Sequence, residues 1–162
     1  MEYRDLYDAK RNLTGKTIQK GEDIPEDYYI LIVVVFIQNH KGEFLMQKRS
    51  ERKGGKWATT GGHPKAGETS LEGIQTEVQE ELGIHLENPI CFKQVTKDQK
   101  HCDIYYAIQD VDLKDLKLQE DEVADAKWMS EKEIKTLIKE KKFHKAHGKM
   151  FLDYLEYRGN MQ

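Results

Sequence analysis

Cysteine is scarce in this chain: only Cys91 and Cys102 occur among 162 residues, and they lack metal-ligand spacing. Two such thiols read as reduced side chains rather than a disulfide, so a cytoplasmic location is expected. Long apolar runs are also missing. The longest, Tyr28 to Ile37, has about ten residues, too few to span a bilayer. The first thirty residues hold no apolar signal core, so neither a membrane anchor nor a secretory leader is expected. No sign of charge dominates. The formal net charge is -3 and the pI is about 6.1, so no basic field invites nucleic acid. Repeats and low-complexity tracts are absent as well. A chain of this length fits one domain that buries roughly two thirds of its unfolded surface.

What is present starts with a β-branched run, Ile30 to Gln38, which predicts a central strand buried on both faces. Asn39 to Gly42 reads as a turn, with Glu43 to Arg49 pairing back as a second strand. Leu13 to Lys20 suggests a short hairpin arm, and Ile90 to Val95 and Cys102 to Gln109 suggest further strands. Thr96 to His101 between them reads as a polar turn in which His101 either faces a phosphate or is simply exposed. Ala126 to Met129 predicts a last strand. Ser130 with Glu133 has capping-box spacing at the start of a helix to Lys139, and His144 to Tyr157 predicts a terminal helix.

The chemistry concentrates between Gly61 and Ile84, GGHPKAGETSLEGIQTEVQEELGI. At about 100° per residue, Leu71, Ile74, Val78 and Leu82 share a stripe of roughly 80°. Glu77, Glu80 and Glu81 gather on another face about 110° away. Adjacent carboxylates on a helix repel one another unless something positive sits among them. A hard divalent cation such as Mg²⁺ or Mn²⁺ prefers such oxygen ligands and works together with substrate phosphates. The bland alternative is a solvated acidic face. The preceding loop argues against it, because the Gly61-Gly62 pair permits a tight turn whose carbonyl can face the same cation. Glu68 adds a further acid, Thr69 with Glu72 forms a capping box, and Gly83 supplies a stop.

This segment resembles the signature of Nudix hydrolases: a glycine, five residues, Glu, seven residues, then Arg-Glu-apolar-x-Glu-Glu-x-Gly-apolar. Gly62, Glu68, Glu77, Val78, Glu80, Glu81, Gly83 and Ile84 match, so eight of nine fixed positions are met across 23 residues. Thr76 stands where the pattern has arginine. In that family the arginine pairs with acids of the motif and helps hold the catalytic glutamates, and threonine supplies neither a charge nor a bidentate fork. The resemblance implies an α+β fold, an α/β/α sandwich around a central mixed sheet. It implies a single domain over 1–162, with an N-terminal arm at 1–28 and the box at 62–84. The Tyr7-Asp8 and Gly15-Lys16-Thr17 pieces are similar to the arm of Nudix proteins related to isopentenyl-diphosphate isomerase.

By the same resemblance, Mg²⁺ or Mn²⁺ is held by Glu77, Glu80 and Glu81 with the Gly62 carbonyl, and Glu68 orients the site. One of the glutamates, or an acid such as Glu120 or Glu122, accepts the proton of the attacking water. The basic cluster Lys48, Arg49, Arg52, Lys53 and Lys56 leads into the motif. It suits a polyphosphate, with Arg49 and Lys56 as substrate-binding candidates beside Glu120 and Glu122. Trp57 is either a base-stacking residue or an anchor beneath that loop. The implied reaction is cleavage of a nucleoside diphosphate linked to another moiety, a small-molecule substrate, by an enzyme for which a homodimer is compatible. Two alternatives stand beside it. One is a Nudix-fold module that binds nucleotides without hydrolysing them. The other is an isopentenyl-diphosphate isomerase, which the Trp57 to Pro64 stretch resembles, although Gly61 sits where those enzymes carry a loop cysteine.

Overall fold

The computed structural model describes residues 1–161. Its centre is a seven-stranded mixed sheet, and the order along its main path follows from which strands are apolar on both faces. β3 (Ile30–Gln38) lies in the middle, paired parallel with β8 (Lys100–Ile108) from Ile30↔Lys100 to Gln38↔Ile108. β7 (Ile90–Lys97) closes one edge antiparallel to β8. On the other side lie β4 (Phe44–Arg49) and the short β5 (Trp57–Ala58), with β6 (Thr60–Gly62) on β3 and β9 (Val123–Met129) on β4. β1 (Tyr3–Tyr7) and β2 (Leu13–Gln19) form a separate two-stranded arm.

Alternation along β3 sends Leu31, Val33, Val35 and Ile37 to one face, where they meet Ile74, Val78 and Leu82 of α1 (Ser70–Leu82). Val34 and Phe36 point the other way, onto Ile134 of α2 (Glu131–Lys139) and onto Phe151 and Tyr154 of α3 (Lys145–Asn160). The result is the expected α/β/α sandwich with a mixed sheet. Among the described residues no helix is long and apolar enough to cross a membrane.

Several local expectations change. β3 and β4 do not run on as a hairpin: after Gln38↔Phe44 they part, and β6 takes the place beside β3 with Val33↔Gly62, Val34↔Gly61 and Val35↔Thr60. β4 turns instead to β9. Leu71 is 44% exposed, because the first turn of α1 overhangs the sheet, so the apolar stripe begins at Ile74. Leu152, expected with Phe151 and Leu155 along one side of the terminal helix, is likewise exposed while Phe151 is fully buried. His101 is not in a turn. β7 and β8 extend to meet around Asp98 and Gln99, and His101 is 1% exposed, stacked on Tyr29 at 4.7 Å and bonded to Thr96 and to the Asp8 carbonyl. It is a structural histidine that ties the arm to the sheet.

Candidate active site

The site is set where β6 passes α1. The Thr69 hydroxyl accepts from Glu72 N and the Glu72 carboxylate accepts from Thr69 N, the reciprocal cap expected from their spacing. Gly83, in the left-handed conformation, ends the helix. These boundaries fix the rotation of α1: with Ile74, Val78 and Leu82 on the sheet, Glu77 and Glu81 are turned toward β6 and β4.

Gly62 is required by that approach. A Cβ there would lie 2.3–2.6 Å from the carboxyl atoms of Glu77. Glu81 is 9% exposed, and its Oε1 accepts from Gln47 Nε2 of β4 at 3.0 Å. Gln47 is oriented in turn by the Thr60 hydroxyl, which donates to Gln47 Oε1 at 2.9 Å. Glu81 Oε2 is buried with no hydrogen-bond partner. Burial, and then the field of Glu81 and of Glu80, pushes the Glu77 carboxyl well above the usual carboxylate range. Burial also raises Glu81, against the Gln47 hydrogen bond and the Lys53 charge, which work the other way. A buried carboxyl beside a half-buried one, the first with an oxygen that has no donor, calls for a cation. The oxygen donors and their charge fit Mg²⁺ or Mn²⁺. Among the described residues no three acidic, histidine or cysteine side chains are already gathered as a metal cluster. Glu80 is exposed and paired with Lys65 Nζ at 2.7 Å.

Glu68 lies outside this pair, in the loop before the helix. Its Oε1 accepts from Lys65 N at 2.7 Å and its Oε2 from the Thr76 hydroxyl at 2.7 Å. Thr76, in the arginine position of the pattern, therefore still contacts the box acid. The positive charge comes from Lys65, raised by its hydrogen bond to Glu80 and by the nearby Glu68 and Glu77, although burial alone would lower it.

The substrate-binding candidates divide. Arg49 and Lys56 lie toward His144, which their charges help to lower after the larger effect of burial. The cations whose fields reach the buried glutamates are Lys65 and Lys53. Glu122 is ion-paired with Lys53 and, at 3.2 Å, with Arg52. Burial would raise it, but these two cations hold it below the usual value. Glu120 is exposed in the preceding turn. Trp57 packs half-buried against the α2–α3 core, with Lys127 Nζ 5.5 Å from its ring, and is the anchor rather than the stacking platform. Gln47, Thr60 and Lys65 carry no signal in the sequence, because Gln47 and Thr60 act from neighbouring strands and Lys65 occupies a variable position of the pattern.

Comparison with known proteins identifies the family of the domain. The family model for the NUDIX domain matches residues 29–154. The uncharacterized Nudix hydrolase lmo0368 of Listeria monocytogenes is 37% identical over 144 residues, covering 85% of each chain. The crystal structure of a MutT protein from Methanosarcina mazei Go1 superposes with TM-score 0.60 at 27% identity, covering 83% of this chain and 96% of that one. The NUDIX domain of Shewanella oneidensis NrtR, crystallised with ADP ribose, superposes with TM-score 0.65 over 90% of this chain and 94% of that one, and at 16% identity it speaks for the fold alone. The chain thus belongs to the NUDIX domain family and is a Nudix-type pyrophosphohydrolase.

Proposed function

We propose that the enzyme hydrolyses the diphosphate linkage of a nucleoside diphosphate joined to another moiety, and that it needs Mg²⁺ or Mn²⁺. The observation that carries this reading is the pairing of half-buried Glu77 with buried Glu81 against Gly62, with Glu81 Oε2 left without a donor. Glu77, Glu81, the Gly62 carbonyl and Glu80 are the groups that would hold the cation. Bound there, it supplies charge neutralisation for the diphosphate and acidifies water for attack on phosphorus. The chain's own residues do the rest. Thr76 and Lys65 N orient Glu68, Thr60 and Gln47 orient Glu81, and Lys65 balances the acidic helix face. Lys53 and Arg52 hold Glu122 and bring positive charge to the edge of the site. Between the two loop acids, Glu122 is the one whose field reaches Glu81, which favours it over Glu120 as proton acceptor. An isomerase is disfavoured by structure as well as sequence: a Cβ at Gly61 would lie 2.9 Å from the Val33 carbonyl oxygen, so the strand leaves no room for a cysteine.

Release of phosphomonoester products, read as inorganic phosphate after an added phosphatase, tests the reading, with ADP ribose, dinucleotides and non-nucleotide diphosphates each assayed with and without the cation. Cation-dependent turnover that falls about 100-fold or more in Glu81→Gln is expected. Full cation-dependent turnover in that variant would overturn the assignment.

A further inference from the structure

The N-terminal arm roofs a cavity of about 350 Å³ with Asp5, Tyr7, Arg11 and Leu13. All four roof residues precede residue 29, where the NUDIX domain match begins, so the cavity exists through an addition to that domain. The box loop around Glu68 forms one wall, and Gln94 and Asp103 of β7 and β8 form the other. Bonds on both sides hold the roof in place. The Tyr3 carbonyl accepts from Ala66 N at 2.8 Å and Asp5 Oδ2 accepts from Gly67 N at 2.9 Å. Across the sheet, Arg11 donates to Asp103 at 2.6 Å and to the Val95 carbonyl at 2.9 Å. The cavity is therefore preformed, and preformed sites bind without an ordering cost.

Its lining selects the ligand. Asp5, Glu68 and Asp103 set three carboxylates against one guanidinium, and that guanidinium is already engaged by Asp103 and by backbone carbonyls. A phosphate here would meet like charge and no free cation. Tyr7, Leu13 and Leu31 offer apolar surface, while the Gln94 amide and the Ser70 hydroxyl, which also bond Asp103 and Tyr105, keep further hydrogen-bonding capacity toward the cavity. The volume lies at the small end of small-molecule sites. An uncharged ring system bearing hydroxyls, of nucleoside size, fits this combination. Glu68 connects the two sites, since it lines the cavity and accepts from Thr76, the neighbour of Glu77. We infer that the arm cavity binds the nucleoside half of the substrate while the diphosphate extends toward the box, an assignment that rests on the reaction proposed above.

Calorimetry of the full chain with adenosine, guanosine, cytidine and uridine, without added cation, tests this directly. The comparison is with Leu13→Asp and Tyr7→Ala, followed by steady-state kinetics of all three proteins on the best nucleoside diphosphate substrate. Leu13 is 65% exposed, so Leu13→Asp adds a carboxylate without touching the core. The expected result is that at least one nucleoside binds the parent, and that both substitutions weaken it about tenfold and raise KM similarly with kcat nearly unchanged. Absence of nucleoside binding by the parent, or binding and KM unmoved by both substitutions, would overturn the inference. Turnover that dies in Glu81→Gln but keeps its KM in the arm variants would leave the reaction standing and remove the cavity's role. Nucleoside binding lost in the arm variants, with no hydrolysis of any diphosphate, would do the reverse.

Discussion

The replacement of arginine by Thr76 separates two duties that one side chain usually combines. Thr76 keeps the hydrogen bond to Glu68, and Lys65 carries the charge on the far side of the same loop. The Lys65–Glu80 pair is more than a third exposed on both sides, so it contributes little to folding. Lys65→Ala should therefore leave the urea midpoint almost unchanged while lowering kcat about tenfold. Thr76→Arg in that background should restore much of the loss, which parallel kinetics of the single and double variants will show. Thr76→Val should cost about 1 kcal/mol of stability by chemical denaturation, because Glu68 loses a donor. The glutamates, their helix and its cap were legible because they repeat at helical spacing within twenty residues. Gln47 was not legible, because it meets Glu81 across 34 residues through the sheet. His101 was misread for a related reason: its polarity suggests a turn, and only the arm that covers it accounts for its burial.

At the scale of elements, the site depends on how closely β6 and α1 approach. Gly62→Ala would place a methyl against the Glu77 carboxyl, the far end of a flexible side chain. The side chain can swing away, so the fold should survive with Tm within a few degrees while activity falls more than about tenfold. Parallel thermal melts and turnover assays distinguish this from a folding defect. The strands themselves were readable from β-branched runs, but their partners were not. Nothing in Phe44 to Arg49 announces that β4 leaves β3 after one residue pair for β9.

For the whole molecule, the buried Glu81 carboxylate beside Glu77 trades stability for function. Glu81→Gln removes one buried charge and should be at least as stable as the parent in chelator. Mg²⁺ or Mn²⁺ should raise the Tm of the parent and not that of the variant, a readout independent of turnover. Acid stability has a different origin. His147 Nδ1 is buried without a partner, and burial, then His144 at the N-cap of α3 and Arg49 of β4, lower its pKa to about 3. A histidine held neutral in the folded state contributes stability that is complete above its unfolded pKa of about 6.5 and is lost as pH falls from there toward 3. About 1.6 kcal/mol should disappear between pH 6.5 and pH 5. Urea midpoints for His147→Leu should show a flatter profile over that interval.

The parting of β3 from β4 also bears on how the chain assembles. A continuous hairpin would let the first half of the sheet close early from local contacts, but here β3 receives one pair from β4 and nine from β8, which ends at Ile108. Long-range pairing of this kind is entropically late. The glutamate helix is thus synthesised well before the strand that completes the sheet.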